Sequence, residues 1–183
     1  MALDLEPDHR TANCALGGAL VMQGRFEEAI GCLERQLALI PNFANAHNWK
    51  GIAHTLMGDG HLAVGCHEAA IELSPRDPRL STWIRSAALA WLHQGEDVRG
   101  LLEAERSVAL PKPWPRSYET LAMAYGTNRL EDDAKAAVGV LLRNWPDYSI
   151  RQHRAEMISD RPAFLAQRER LLEGLVRAGL PER

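Results

Sequence analysis

At 183 residues with 46% apolar side chains, the chain is long enough to bury a core and too short for more than two small domains. Its formal net charge of -3, with both signs scattered, leaves no basic stripe for neutralising phosphates, which argues against nucleic acid as a direct partner. Cys14, Cys32 and Cys66 are odd in number and form no CxxC pair, so a disulfide framework is not expected and a reducing, cytoplasmic setting is.

The opening, Met-Ala-Leu-Asp-Leu-Glu-Pro, carries acids where a signal peptide carries lysine or arginine. Residues 1–9 read as the end of a helix whose partner helix is missing, so we expect a piece of a longer protein; a ragged native start is the alternative. Pro7, Pro41 and Pro75 each follow a helix-like segment and recur at one interval of 34 residues. Two-helix units are therefore read at 10–43, 44–77, 81–114 and 115–148, with Pro78 to Leu80 inserted after the second.

Small residues stand where the two helices of each unit cross closely: Gly17, Gly51, Ala88 and Ala122 on the first, Ala29, Ala63, Gly100 and Ala134 on the second. Leu20, His54, Trp91 and Tyr125 fill the bulky position between them. Gly24, Gly58 and Gly95 close the first helices, because glycine takes the left-handed conformation of a helix end at little cost. Three residues depart from the pattern: Lys50 replaces an apolar residue, Arg129 the closing glycine, and Lys112 the closing proline, so the 111–115 link is expected to be kinked.

Beyond the fourth unit, 149–157 begins another first helix in phase. Pro162 to Ala178 then reads as a long helix, with Phe164, Leu165, Leu171, Leu172, Leu175 and Val176 near helical spacing and Gly179-Leu-Pro181 as its stop. We expect it to cap the open end of the stack. A dimerisation or membrane-surface helix is the alternative, although Glu169 and Glu173 dilute its cationic face.

On this interval, the small-residue pattern and the segment Gly24-Arg-Phe-Glu-Glu-Ala-Ile, the chain resembles the tetratricopeptide-repeat family. The resemblance implies an all-α, right-handed superhelix (an α-α solenoid) forming one domain over 1–183 with a C-terminal capping helix. It also implies binding of a protein or peptide in a concave groove lined by the first helices. The matching positions are Thr11, Cys14, Gly18, Val21 and Met22 in the first unit, and Asn45, Asn48, Ile52, Thr55 and Leu56 in the second. The third offers Thr82, Arg85, Leu89, Leu92 and His93, and the fourth Arg116, Glu119, Met123, Gly126 and Thr127.

The carboxylate clamp of chaperone adaptors is not expected, since Cys14 and Gly18 stand where it would begin. A mainly apolar trough suits an amphipathic helix or extended segment, with Asn48 or Arg85 fixing its orientation. The alternative is that the chain's own terminal helix, or an upstream region, fills the trough.

The ending Leu-Leu-Glu-Gly-Leu-Val-Arg-Ala-Gly-Leu-Pro, after a short arginine-containing helix, is similar to the carboxy-terminal tails of certain multidomain bacterial proteins. In these, repeats follow a class III adenylate/guanylate cyclase domain or a winged-helix regulator domain. That similarity implies a regulatory module of a larger signalling protein, or alternatively a spacer or self-association element orienting an upstream domain. No cyclase motif is present in the chain itself.

No catalytic constellation emerges: there is no GxxxxGK, HExxH or GxSxG, so neither an enzyme nor a cofactor is expected. Glu27-Glu28 and Glu131-Asp132-Asp133 open second helices, where the macrodipole favours acids. His47, His54, His61 and His67, with Cys66, are metal-ligand types, but the register places only His54 and His67 at the interface between the two helices, so no metal site is expected. The five tryptophans read mainly as packing. No stretch approaches the ~18 apolar residues of a membrane span. An uncovered face around Leu16, Leu20 and Leu33 leads us to expect self-association through the first unit.

Overall fold

A computed structural model describes residues 11–183; the expected helix end within residues 1–9 lies outside them. Ten α-helices and no strands occur among the described residues. They are α1 Ala12–Met22, α2 Phe26–Leu39, α3 Ala44–Met57, α4 Gly60–Leu73 and α5 Leu80–His93. There follow α6 Asp97–Ala109, α7 Arg116–Thr127, α8 Glu131–Asn144, α9 Ile150–Ala155 and α10 Pro162–Arg177. From α1 to α8 each helix packs on the next, and α1, α3, α5 and α7 also touch in series along one face.

The crossings are as tight as the small residues imply. A β-carbon added to Gly17 would lie 2.6 Å from Leu33, one added to Gly51 2.7 Å from the His67 ring, and one on Gly100 2.6 Å from Leu92. Leu33 and His67 fill the same register position in α2 and α4. In α6 and α8 that position holds Ala104 and Val138, and there the first helix carries Ala88 and Ala122 in place of glycine.

Gly24, Gly58 and Gly95 adopt φ of 75°, 90° and 83° between the two helices of their units, and Arg129 takes φ 60° at the matching point of the fourth. The six-to-one bonds that close these helix ends run from Asp59 N to His54 O at 2.9 Å and from Leu130 N to Tyr125 O at 2.9 Å. Lys112 is also left-handed, at φ 56°, in the irregular link before α7.

Leu20 and Leu33, expected to lie uncovered, are buried at 5% and 0% exposure. Leu20 packs with Phe26, Ala29 and Ala53, and Leu33 with Cys14 and Ala46, so α2 and α3 already cover them. Of the large apolar side chains of α1, Leu16 and Met22 remain exposed, at 42% and 59%.

The tail does more than cap the last unit. α10 packs mainly on α7 and continues across α5 to α3, lying along the face of the first helices. The α10–α7 contact is backbone to backbone: a β-carbon on Gly126 would meet the Gly174 Cα at 2.7 Å, and one on Gly174 the Met123 carbonyl at 3.0 Å. Before α10, the connecting segment reaches back to the first two units, where Arg161 pairs with Glu27 at 2.6 Å and Ser159 Oγ donates to the Leu56 carbonyl at 2.5 Å.

Candidate binding cavity between the groove and the tail

Nine of the candidate groove residues, Ile52, Thr55, Leu56, Arg85, Leu89, His93, Arg116, Glu119 and Met123, line one cavity of about 230 Å³. They come from α3, α5 and α7, whose shared register turns these positions to the same side. The facing wall is the chain's own tail, through His153, Glu156, Met157, Ile158, Phe164, Arg168 and Leu171. None of these tail residues stood among the groove positions, although a trough filled by the chain's own terminal helix was the stated alternative. Phe164, Arg168, Leu171 and Leu175 do form one helical stripe, a signal that the charge of Arg168 obscured.

The other candidates lie elsewhere. Val21 and Leu92 share a register position and are fully buried within the stack. Asn48 is also buried, its Oδ1 3.1 Å from His67 Nδ1. Met22 is exposed, and Asn45 contacts Cys14 Sγ at 3.4 Å and Arg79 Nη1 at 3.0 Å at a separate depression.

At the centre of the cavity wall stands Glu119, 1% exposed. Its Oε1 lies 2.5 Å from both His153 Nδ1 and the Tyr148 hydroxyl, while Arg85 Nη2 is 3.8 Å from Oε2. Burial alone would raise the carboxyl pKa, but the hydrogen bond from His153 and the charges of Arg85 and Arg116 outweigh it and hold Glu119 down at about 2. Burial pushes the Tyr148 hydroxyl up, and Glu119 beside it adds to the shift.

Arg116 pairs with Glu156. Arg168 donates from Nε to His153 Nε2 at 3.3 Å and from Nη2 to the His153 carbonyl at 2.6 Å. Arg85 donates from Nε to the Arg116 carbonyl at 3.2 Å and lies over the Trp114 ring at 5.1 Å. Lower along α10, Phe164 stacks on His93 with centroids 4.9 Å apart, and Arg170 forks onto Asp97 at 2.6 and 2.8 Å.

The second-unit histidines do not converge. His67 is enclosed beside Asn48, whereas His47 Nε2 faces the Pro41 carbonyl at 2.8 Å. Among the described residues no group of three or more histidine, cysteine or acidic side chains could hold a metal ion. Nor is any helix among them long and apolar enough to cross a membrane.

No protein-family model and no curated protein matches the sequence. Solved structures do. A mutant O-GlcNAc transferase of Thermobaculum terrenum is similar at 16% identity and TM-score 0.69, over 75% of this chain but only 26% of that one. The MamA RS-1 ArsTM double mutant is 19% identical with TM-score 0.66, over 96% of this chain and 98% of its own. YrrB, described as a TPR protein with an unusual peptide-binding site, is 16% identical with TM-score 0.60, over 91% and 82%. These likenesses define the fold as an α-solenoid of the tetratricopeptide type.

Proposed function

We propose that the chain is a protein-interaction module whose first-helix groove receives an amphipathic helix. The observation that carries this reading is α10, which already lies along α3, α5 and α7 with Phe164, Leu171 and Leu175 buried. Helix-in-groove recognition works through such anchors at helical spacing. The peptide-binding site named for YrrB is in keeping with the reading. With the similarity of its ending to the tails of bacterial cyclases and winged-helix regulators, the module serves a larger cytoplasmic signalling protein, and α10 holds the place of the partner.

The test uses the glycine contact. Gly174→Leu in the full chain loosens the resident tail and leaves the groove intact, whereas Gly126→Leu blocks the groove itself. A fluorescent peptide of residues 159–181 is expected to bind the Gly174→Leu chain at least tenfold more tightly than the Gly126→Leu chain, as helix-groove burial predicts. Equal binding by the two would refute the groove reading.

A second reading, a self-associating spacer, is favoured by the exposed Leu16 and Met22 on α1. Under it, the full chain sediments as a dimer and Leu16→Lys with Met22→Lys returns it to a monomer.

A further inference from the structure

The cavity wall carries a charge that groove recognition leaves unused. Three guanidiniums, Arg85, Arg116 and Arg168, line it against two carboxylates, Glu119 and Glu156. Arg116 is engaged by Glu156, and Glu119 by His153 and Tyr148. His153 faces Glu119 with Nδ1 and accepts from Arg168 with Nε2, which assigns the uncharged tautomer with its proton on Nδ1. One positive charge therefore remains without a counter-ion in the wall.

Its donors are identifiable. Arg168 is 7% exposed, and its Nη1 is buried with no hydrogen-bond partner. Arg85 stands too far from Glu119 for a hydrogen bond from Nη2, so its field adds to that of Arg168. A buried charge without a partner is destabilising, and a monoanion in the cavity would remove that penalty. Burial lowers the pKa of both arginines, which reports the same unmet demand.

The remaining wall selects the body of the ligand. Ile52, Leu56, Leu89, Met123 and Phe164 supply an apolar lining. An apolar cavity of ~150 Å³ holds benzene, so the space of about 230 Å³ suits roughly ten non-hydrogen atoms. Glu119 and Glu156 repel a dianion, which disfavours phosphate.

We propose that this cavity binds a small monocarboxylate with an apolar body, such as a medium-chain fatty acid, its carboxylate on the free donors of Arg168 and its tail against Leu89, Met123 and Phe164. The site draws on both groove and tail, and it does not depend on the groove having a protein partner.

Isothermal titration of octanoate into the full chain tests this, with 1-octanol and inorganic phosphate as comparison ligands. Octanoate is expected to bind at one site, at least about tenfold more tightly than octanol, as a charge-assisted hydrogen bond requires, and phosphate not at all. Arg168→Met keeps the side-chain stem and is expected to bring octanoate down to the octanol affinity. If that variant does not fold, Leu89→Trp fills the cavity from the groove side and is expected to abolish octanoate binding. Absence of saturable octanoate binding, octanol binding equally well, phosphate competing with octanoate, or full octanoate affinity in either folded variant would overturn the proposal.

Discussion

His67 sits where α3 and α4 cross, fully buried beneath Gly51, with Nε2 unpartnered and Nδ1 on Asn48. Burial, with a smaller contribution from the charge of His54, pushes its pKa down to about 3; burial likewise takes His93 down to about 4. In the unfolded chain both protonate near ~6.5. The unfolded state therefore binds more protons throughout the interval below that value, so stability is full above ~6.5 and falls as the pH drops toward about 4 and 3. Glu119, held at about 2, acts in the same direction at lower pH. The urea midpoint is expected to fall between pH 7 and 4.5. His67→Gln is expected to flatten that slope by up to ~1.4 kcal/mol per pH unit, and a midpoint that stays constant would contradict the assignment. Arg129 offers a second check at this scale. It occupies a left-handed position that the first three units give to glycine. Relief of the side-chain clash outweighs the added freedom of the unfolded glycine, so Arg129→Gly is expected to raise the unfolding free energy by roughly 0.5–1 kcal/mol.

At the level of helices, two glycines separate close approach from mere permissiveness. A side chain on Gly126 meets the backbone of α10 at Gly174, which cannot yield without moving the helix, whereas Gly65 in α4 has open space around it. Gly126→Ala is expected to destabilise by ~1–3 kcal/mol, and Gly65→Ala to stabilise by ~0.5–1 kcal/mol through helix propensity. Chemical denaturation of the two variants measures both signs. The repeat hairpins were legible because their determinants are local: small residues at the crossings, glycine at the turns, and acids at second-helix starts. α10 was legible as a helix from Pro162 to its glycine stop for the same reason. Its docking site was not, since Gly174 recognises Gly126 and Phe164 recognises His93 across long stretches of sequence. The groove list captured the α3, α5 and α7 side of the cavity and missed its other wall. His153 and Glu156 lie in and just after the six-residue α9, too short for any hydrophobic period to reveal its orientation. The uncovered face assigned to Leu20 and Leu33 failed because the pattern marks which residues are apolar, and the cover came from α2 and α3.

Seen whole, the tail links every unit of the stack. Arg161 holds Glu27 in the first, Ser159 and Gln167 hold carbonyls of Leu56 and Gly58 in the second, Arg170 holds Asp97 in the third, and Gly174 abuts Gly126 in the fourth. Repeat arrays otherwise depend on nearest-neighbour contacts and can melt in parts. Removal of residues 156–183 is expected to leave the repeat helices formed, to broaden the urea transition and to lower its apparent m value, because a strap across all units makes unfolding more nearly all-or-none. An unchanged transition width after that deletion would contradict the coupling. The order of the chain gives the same strap a temporal meaning. The groove is synthesised before the segment that closes it, and at ~5–20 residues per second the interval is on the order of seconds. Hairpins form within that interval from local contacts, so each newly made molecule presents an open groove on the ribosome, and an assembly factor acting there would meet a surface that the finished protein conceals.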